Sequence, residues 1–224
     1  FVKESYINVG QNTLYLQKFD VVDFNQDGDL YNHQYMQNLF APESEADNMK
    51  KIYVESLGCA KNQVDSEVLL SYAGEEGYVR VENPEEADVV VVNTCGFIES
   101  AKTESINTFF SLKERCPNAK MVMAGCLAQR YGHEMELEEA DAIFGNHDLS
   151  LFPSVLKDIE NDRREVTIPD YPDPDRERDD RAELLSFPRS AYLKISEGCN
   201  HCCSYCAIPV IRGSLRSRPF EKVV

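Results

Sequence analysis

Residues Ala87–Thr94 read ADVVVVNT, four valines in a row closed by an Asn-Thr pair. A half-buried strand alternates apolar and polar residues. An unbroken apolar run bounded by polar residues predicts a strand covered on both faces, as in a parallel sheet. Working outward, Lys51–Leu57 (KIYVESL) predicts a strand and Val64–Gly77 a helix. Downstream, Ile98–Arg115 predicts a helix broken by Cys116-Pro117-Asn118, and Lys120–Gly125 (KMVMAG) the next strand. Leu127–Glu138 (helix), Ala142–Gly145 (strand) and Leu151–Asn161 (helix) continue the alternation. Strands alternating with helices predict an α/β fold with a doubly wound parallel sheet.

Three cysteines fall into register with this pattern. Cys59 follows the first strand by two residues, and Cys95 and Cys126 each directly follow a later strand. In an open parallel sheet the carboxyl ends of the strands share one edge, where ligands bind. Three thiols distant in sequence are therefore expected to converge as a metal-ligand set. Any one of them alone would read as a small buried residue at a strand end. Cys116, at a helix end before proline, reads as structural.

A second set stands in SEGCNHCCSYCAIP, where Cys199, Cys203 and Cys206 are spaced Cys-x-x-x-Cys-x-x-Cys. Zinc sites pair Cys-x-x-Cys knuckles or a knuckle with histidines, and this spacing fits neither. Three thiolates can hold three irons of a 4Fe–4S cluster and leave the fourth open, whereas electron-transfer clusters use four. The alternative is a group of stray core thiols. Cys202 and His201 lie within the motif and read as bystanders. His133 and His147 read as surface residues. Asp65 and Glu67 read as acidic groups in the opening turns of a helix, favoured there by its dipole, with pocket groups beside the first cysteine motif as the alternative.

Composition narrows the partners. The 224-residue chain has a formal net charge of -16, which argues against direct nucleic-acid binding and suits a basic partner. Of the eight cysteines, six stand in cluster-like positions, which implies a reducing compartment such as the cytoplasm rather than a disulfide framework. No apolar run is long enough to span a membrane.

Residues 161–190 (NDRREVTIPDYPDPDRERDDRAELLSFPRS) are dense in charge and proline and predict an extended connection. Domain boundaries are thus expected at 49–160 and from 191, where Ala191–Ser196 (AYLKIS) predicts a strand that delivers the cysteine loop. Residues 1–48 form a separate extension. There Asp23, Asn25, Asp27, Gly28, Asp29 and Leu30 match loop positions one, three, five, six, seven and eight of an EF-hand or dockerin-like Ca2+ loop, flanked by expected short helices at Leu14–Val22 and Tyr35–Phe40. Gln34 stands where that loop wants a bidentate glutamate, so a plain Asp/Asn/Gly turn is the competing reading.

From Met49 to Val224 the motifs resemble the methylthiotransferase family of radical S-adenosylmethionine (SAM) enzymes. Ser56-Leu57-Gly58-Cys59-Ala60-Lys61-Asn62, Asn93-Thr94-Cys95-Gly96-Phe97 and Ala124-Gly125-Cys126-Leu127-Ala128-Gln129 match its three scattered cysteine motifs. Ile208-Pro209, Arg212-Gly213 and Arg216-Ser217-Arg218 match its barrel sequence, and Tyr205 its aromatic position beside the third cluster cysteine. The first two motifs are closer to the branch that modifies a ribosomal protein than to the branch that modifies a tRNA adenosine. The resemblance implies an N-terminal α/β domain, then a radical SAM barrel that the chain enters and does not complete. It also implies two 4Fe–4S clusters, on Cys59, Cys95 and Cys126 and on Cys199, Cys203 and Cys206, with SAM bound near Tyr205. The implied reaction adds a methylthio group to the β-carbon of an aspartate in small-subunit ribosomal protein S12, using an electron donor such as a flavodoxin or ferredoxin. A passenger fragment that only binds calcium is the reading from a different class.

Overall fold

The structure is a computed structural model and describes residues 49–172, 181–186 and 189–222, with the backbone of 5–9 and 12–16. The chain divides into two units, Phe1–Asn48 and Met49–Val224. In the first, β1 (Ser5–Val9) pairs antiparallel with β2 (Asn12–Leu16), with Ser5 opposite Leu16 and Val9 opposite Asn12. Leu14–Leu16 therefore belong to a strand and do not open the expected helix. Asp23, Asn25, Asp27, Asp29 and Gln34 of the Ca2+-loop reading lie outside the described residues.

The second unit is built on a parallel sheet of six strands. These are β3 (Lys50–Ser56), β4 (Tyr78–Arg80), β5 (Val89–Thr94), β6 (Lys120–Gly125), β7 (Ala142–Phe144) and β8 (Glu165–Thr167). Their spatial order is β4-β3-β5-β6-β7-β8. The valine run forms β5, buried at every position and paired with β3 on one side and β6 on the other. Side chains alternate across it. Val89 and Val91 enter a layer with Ile52, Phe144 and helices α1 (Ala60–Glu75) and α4 (Phe152–Glu160). Val90 and Val92 enter the opposite layer with Met121, Met123 and helices α2 (Glu99–Arg115) and α3 (Cys126–Tyr131). Both faces are covered, and each fully buried valine contributes about 1.5–3 kcal/mol.

Three local differences from the sequence expectation matter for the site. The three-residue strand β4 is too short to give a periodic pattern, yet it sets the topology. The chain runs from β3 outward to β4, then back across to β5, so the order reverses between β3 and β5. That reversal is the crevice where doubly wound sheets bind ligands. Secondly, α1 starts at Ala60, directly after Cys59. Asp65 and Glu67 are thus mid-helix and fully buried, not solvated groups in a first turn. Thirdly, α3 ends at Tyr131, well short of the Glu138 expected, with Gly132 following.

The 161–190 stretch has ordered parts among its described residues. It supplies β8, and residues 181–186 lie along the outer side of α1. Glu67 accepts from Arg181 (2.5 Å) and from the Leu185 amide (2.9 Å), while Ser71 Oγ accepts from the Ala182 amide (2.8 Å). Helix α1 is consequently covered on two sides, and its buried polar residues have partners.

The expected barrel strand at Ala191–Ser196 is not formed. Instead β9 (Ser196–Glu197) pairs antiparallel with β10 (Arg216–Ser217), and a short helix α5 (Ile208–Arg212) lies between them. A barrel strand needs parallel neighbours, and among the described residues 191–195 have none, leaving Leu193 and Ile195 exposed. The described residues form no (β/α) barrel.

This C-terminal segment is tied to α1 by buried charge. Asp65 pairs with Arg212 and with Lys194 (3.1 Å), and Glu197 pairs with Lys194 (3.3 Å), Arg212 (3.4 Å) and Lys61 (3.1 Å). Burial pushes the carboxyls of Asp65 and Glu197 up, and Arg212 and Lys194 outweigh it, so both titrate below their ordinary values. The folded state therefore binds fewer protons than the unfolded chain across the acid range. The stabilisation is complete above the unfolded carboxyl values, about 4, and is lost as pH falls through the lower folded values. Denaturant midpoints measured from pH 7 to pH 2 are expected to hold steady to about pH 5 and then to fall. In an Asp65→Asn variant the acid-dependent part of that loss is expected to shrink.

Candidate metal centre

Backbone geometry brings the three strand-end cysteine turns together. Cys59 caps the start of α1 and is preceded by Gly58 at φ +93°. A Cβ on Gly58 would stand 2.7 Å from Cys95 Cβ and 3.1 Å from Cys95 Sγ, so this turn lies directly against Cys95. A Cβ on Gly96 would stand 2.7 Å from Leu127 Cα and 2.9 Å from the Cys126 carbonyl oxygen. The three cysteine-bearing turns are thus in contact, at the edge where the β3–β5 reversal opens the crevice.

Asn62, on the first turns of α1, knots them. Its Nδ2 donates to the carbonyls of Leu57 and Thr94, both at 2.9 Å, joining the β3 and β5 ends. Its Oδ1 accepts from the Cys126 thiol (3.1 Å) and from Arg212 Nη2. Beneath it, Asn93 Nδ2 donates to the Asn62 carbonyl and to Ser66 Oγ, both at 2.8 Å. Ser105 Oγ meets both the amide (3.0 Å) and the carbonyl (3.2 Å) of Cys95, and Arg130 donates to the Gly96 carbonyl (2.9 Å).

The thiols differ in environment. Cys59 is exposed, Cys95 half-buried and Cys126 buried. Burial pushes the Cys126 thiol up to about 11, although the neighbouring Arg212 opposes the shift. Among the described residues, no three His, Cys, Asp or Glu side chains are set around a common metal position. The turns converge; the thiols are not drawn onto one point. Three thiols on adjoining turns at a ligand-binding edge are nonetheless a donor set suited to a thiophilic centre.

The second set lies on the loop between β9 and α5. Cys199 and Cys206 are half-buried, and Cys202 and Cys203 exposed. The loop is shaped by its backbone: the Cys199 amide donates to the Gly213 carbonyl (3.1 Å), Cys203 to His201 (2.8 Å) and Cys206 to Cys203 (3.0 Å). Cys202 Sγ reaches only its neighbour's carbonyl, at 3.9 Å from Asn200. Tyr205 is 89% exposed. The two sets approach each other through α5. Ala207, next to Cys206, and Ile211 pack with Cys126 in one small apolar cluster.

Arg212 stands in a motif that matched the family and was given no role from sequence. Its guanidinium is buried and touches Asp65, Glu197, Asn62 and, at 3.2 Å, Cys126 Sγ. Asn62 closed the first cysteine motif without a role of its own and Glu197 had no signal, because their partners are distant in sequence. His147 is half-buried rather than a surface residue. Its amide donates to Gln129 Oε1 (3.2 Å), its Nδ1 lies 3.1 Å from the Pro169 carbonyl, and burial lowers its pKa. His133 is exposed, and buried Cys116 donates to the Pro84 carbonyl (3.2 Å), a structural contact.

The close approach of these turns makes a sharp prediction. Gly125, just before Cys126, has φ +92° and ψ -149°, a region nearly restricted to glycine, and a Cβ there would stand 2.1 Å from Asn93 Oδ1. Gly125→Ala is expected to destabilise the metal-free chain by about 2–4 kcal/mol in urea unfolding. Gly74→Ala is the control, on an exposed helical position with nothing within 4 Å. It is expected to stabilise by about 0.5–1 kcal/mol.

Comparison with known proteins agrees with this picture. Residues 51–145 match the UPF0004 family, described as an uncharacterized protein family. Over 175 residues the chain is 45% identical to the ribosomal protein uS12 methylthiotransferase RimO of Treponema denticola, covering 74% of this chain and 37% of that protein. The protein of the same name from Clostridioides difficile is 44% identical over 182 residues, 79% of this chain and 40% of that one. That of Aquifex aeolicus is 46% identical over 177 residues, 78% of this chain and 37% of that one. The chain therefore spans 37–40% of the length of these relatives. No helix among the described residues is long and apolar enough to cross a membrane. Fold, cysteine turns and similarity thus agree: over about three quarters of its length the chain is similar to RimO-type methylthiotransferases, and its residues 51–145 match UPF0004.

Proposed function

We propose that this chain carries the two iron–sulfur sites of a ribosomal protein uS12 methylthiotransferase. Cys59, Cys95 and Cys126 hold one 4Fe–4S cluster, and Cys199, Cys203 and Cys206 hold the other, with SAM bound beside Tyr205. The whole protein adds a methylthio group to the β-carbon of an aspartate of uS12, drawing electrons from a flavodoxin or ferredoxin. The observation that carries the reading is the packing of Ala207, next to Cys206, against Cys126. It joins the two cysteine sets in one folded unit, as a transfer between two centres requires. The acidic balance suits a basic ribosomal protein as substrate.

When bound, the clusters and SAM supply the one-electron chemistry and the sulfur that no acid–base side chain offers at an unactivated C–H bond. The chain's own residues bind, orient and shield. Gly58 and Gly96 allow the cysteine turns to close on one another without side chains between them. Asn62 fixes the β3 and β5 ends relative to each other through two carbonyls. Deprotonated thiols are the ligands, so the buried Cys126 gives up its proton on loading, and the adjacent Arg212 offsets the charge left behind.

Iron and sulfide analysis with EPR on the anaerobically reconstituted chain tests the assignment. Near eight irons are expected in the parent, and about four when either cysteine set is changed to alanine. A parent that takes no iron, or variants that lose none, would overturn it. For the substrate, a protein of the relatives' full length carrying this sequence is incubated with uS12 and with tRNA. Mass spectrometry is expected to find the methylthio group on uS12, and methylthiolated tRNA beside unmodified uS12 would contradict the choice.

A further inference from the structure

We propose that Arg212 is a positioning residue for the strand-end centre, holding the Cys126 sulfur in place and setting the electron affinity of metal bound there. The inference rests on the reading above that Cys126 is a ligand. It goes beyond that reading, because it gives a role to a residue outside both cysteine sets.

The guanidinium of Arg212 is a fork with both arms engaged. Its Nη1 arm is held by Asp65 and, at 3.4 Å, by Glu197. Its Nη2 arm reaches Asn62 Oδ1 and, at 3.2 Å, Cys126 Sγ. With the Asn146 amide turned to satisfy both its ends, it donates to the Ile211 carbonyl (2.7 Å) and accepts from Arg212 Nε (3.3 Å). Every edge of the guanidinium is engaged, and the group is 5% exposed. A rigid planar fork can serve two carboxylates and a sulfur at once, and a lysine ammonium cannot.

Position and charge then act together. Asn62 also fixes the turns that bear Cys59 and Cys95, so Arg212 contacts one cysteine directly and the other two turns through one amide. Groups that donate to ligand atoms hold those ligands in place, and their loss typically costs 10–100-fold in metal affinity. Donors to ligand sulfurs and nearby positive charge also favour the reduced, more negative state of an iron–sulfur centre, raising its potential. A buried guanidinium on a ligand sulfur is expected to do both. Since Arg212 closes α5, which follows Cys206, the same residue registers the second cysteine loop against the first.

The test uses the full chain with Cys199, Cys203 and Cys206 changed to alanine, which isolates the strand-end centre. Within it, Arg212, Arg212→Gln and Arg212→Lys are compared after anaerobic reconstitution. Iron content, resistance to a chelator and an EPR-monitored redox titration are measured, with circular dichroism reporting folding. Arg212→Gln is expected to shift the midpoint potential downward and to lower the chelator concentration that strips half the iron by about 10–100-fold. Arg212→Lys is expected to recover part of the potential but not the chelator resistance. A folded Gln variant with unchanged potential and unchanged resistance would overturn the proposal. Should the Gln variant fail to fold, a Lys variant indistinguishable from Arg212 in both readouts would overturn it equally. If the Arg212 background takes up no iron, the ligand reading itself falls, and the proposal with it.

Discussion

A guanidinium buried among two carboxylates, an amide and a thiol joins the parts of this protein that carry cysteines. Arg212 lies far along the chain from Asp65, Asn62 and Cys126, yet it touches all three. Taking such charges out of water costs several kcal/mol per ion, and replacing a buried ion network with apolar residues is often neutral or stabilising. Stability alone therefore does not account for the arrangement. What the network specifies is register: Asp65 on α1 meets Lys194 and Arg212 of the C-terminal segment, and Lys61 meets its Glu197.

The surroundings of that network follow from α1. A helix covered on one face would show an apolar stripe and a solvated side. Here Asp65, Ser66, Glu67 and Ser71 are buried beside Val68 and Leu69, because the sheet covers one side and residues 181–186 with the C-terminal segment cover the other. The polar residues of α1 are addresses for later parts of the chain. They make the stretch from 181 onward part of the same folded unit as the sheet.

The sheet was largely legible in the sequence, because its signals are local. The valine run gave β5, and KMVMAG gave β6 at its observed limits. The cysteines at strand ends followed from those strands, and the motif resemblance agreed with them. What was not legible depends on partners distant in the chain. Strand β4 has three residues and gains its place from Lys50–Ile52, and β8 gains its place from β7. Arg212 stood in a matched motif without a role and Glu197 had no reading, because their ionic partners become neighbours only when the fold puts Asp65 between Lys194 and Arg212. AYLKIS predicted a strand, which the resemblance made the start of a barrel, and a strand without neighbours does not persist as one.

The account joins two cysteine sets into one functional region, and spin–spin interaction between the two reduced centres tests that most directly. The chain is reconstituted anaerobically and reduced beside two variants that each keep one cysteine set. The account predicts an EPR spectrum and power saturation for the parent that depart from the sum of the two variants. A parent spectrum equal to that sum, with iron present at both sites, would place the centres apart and contradict it.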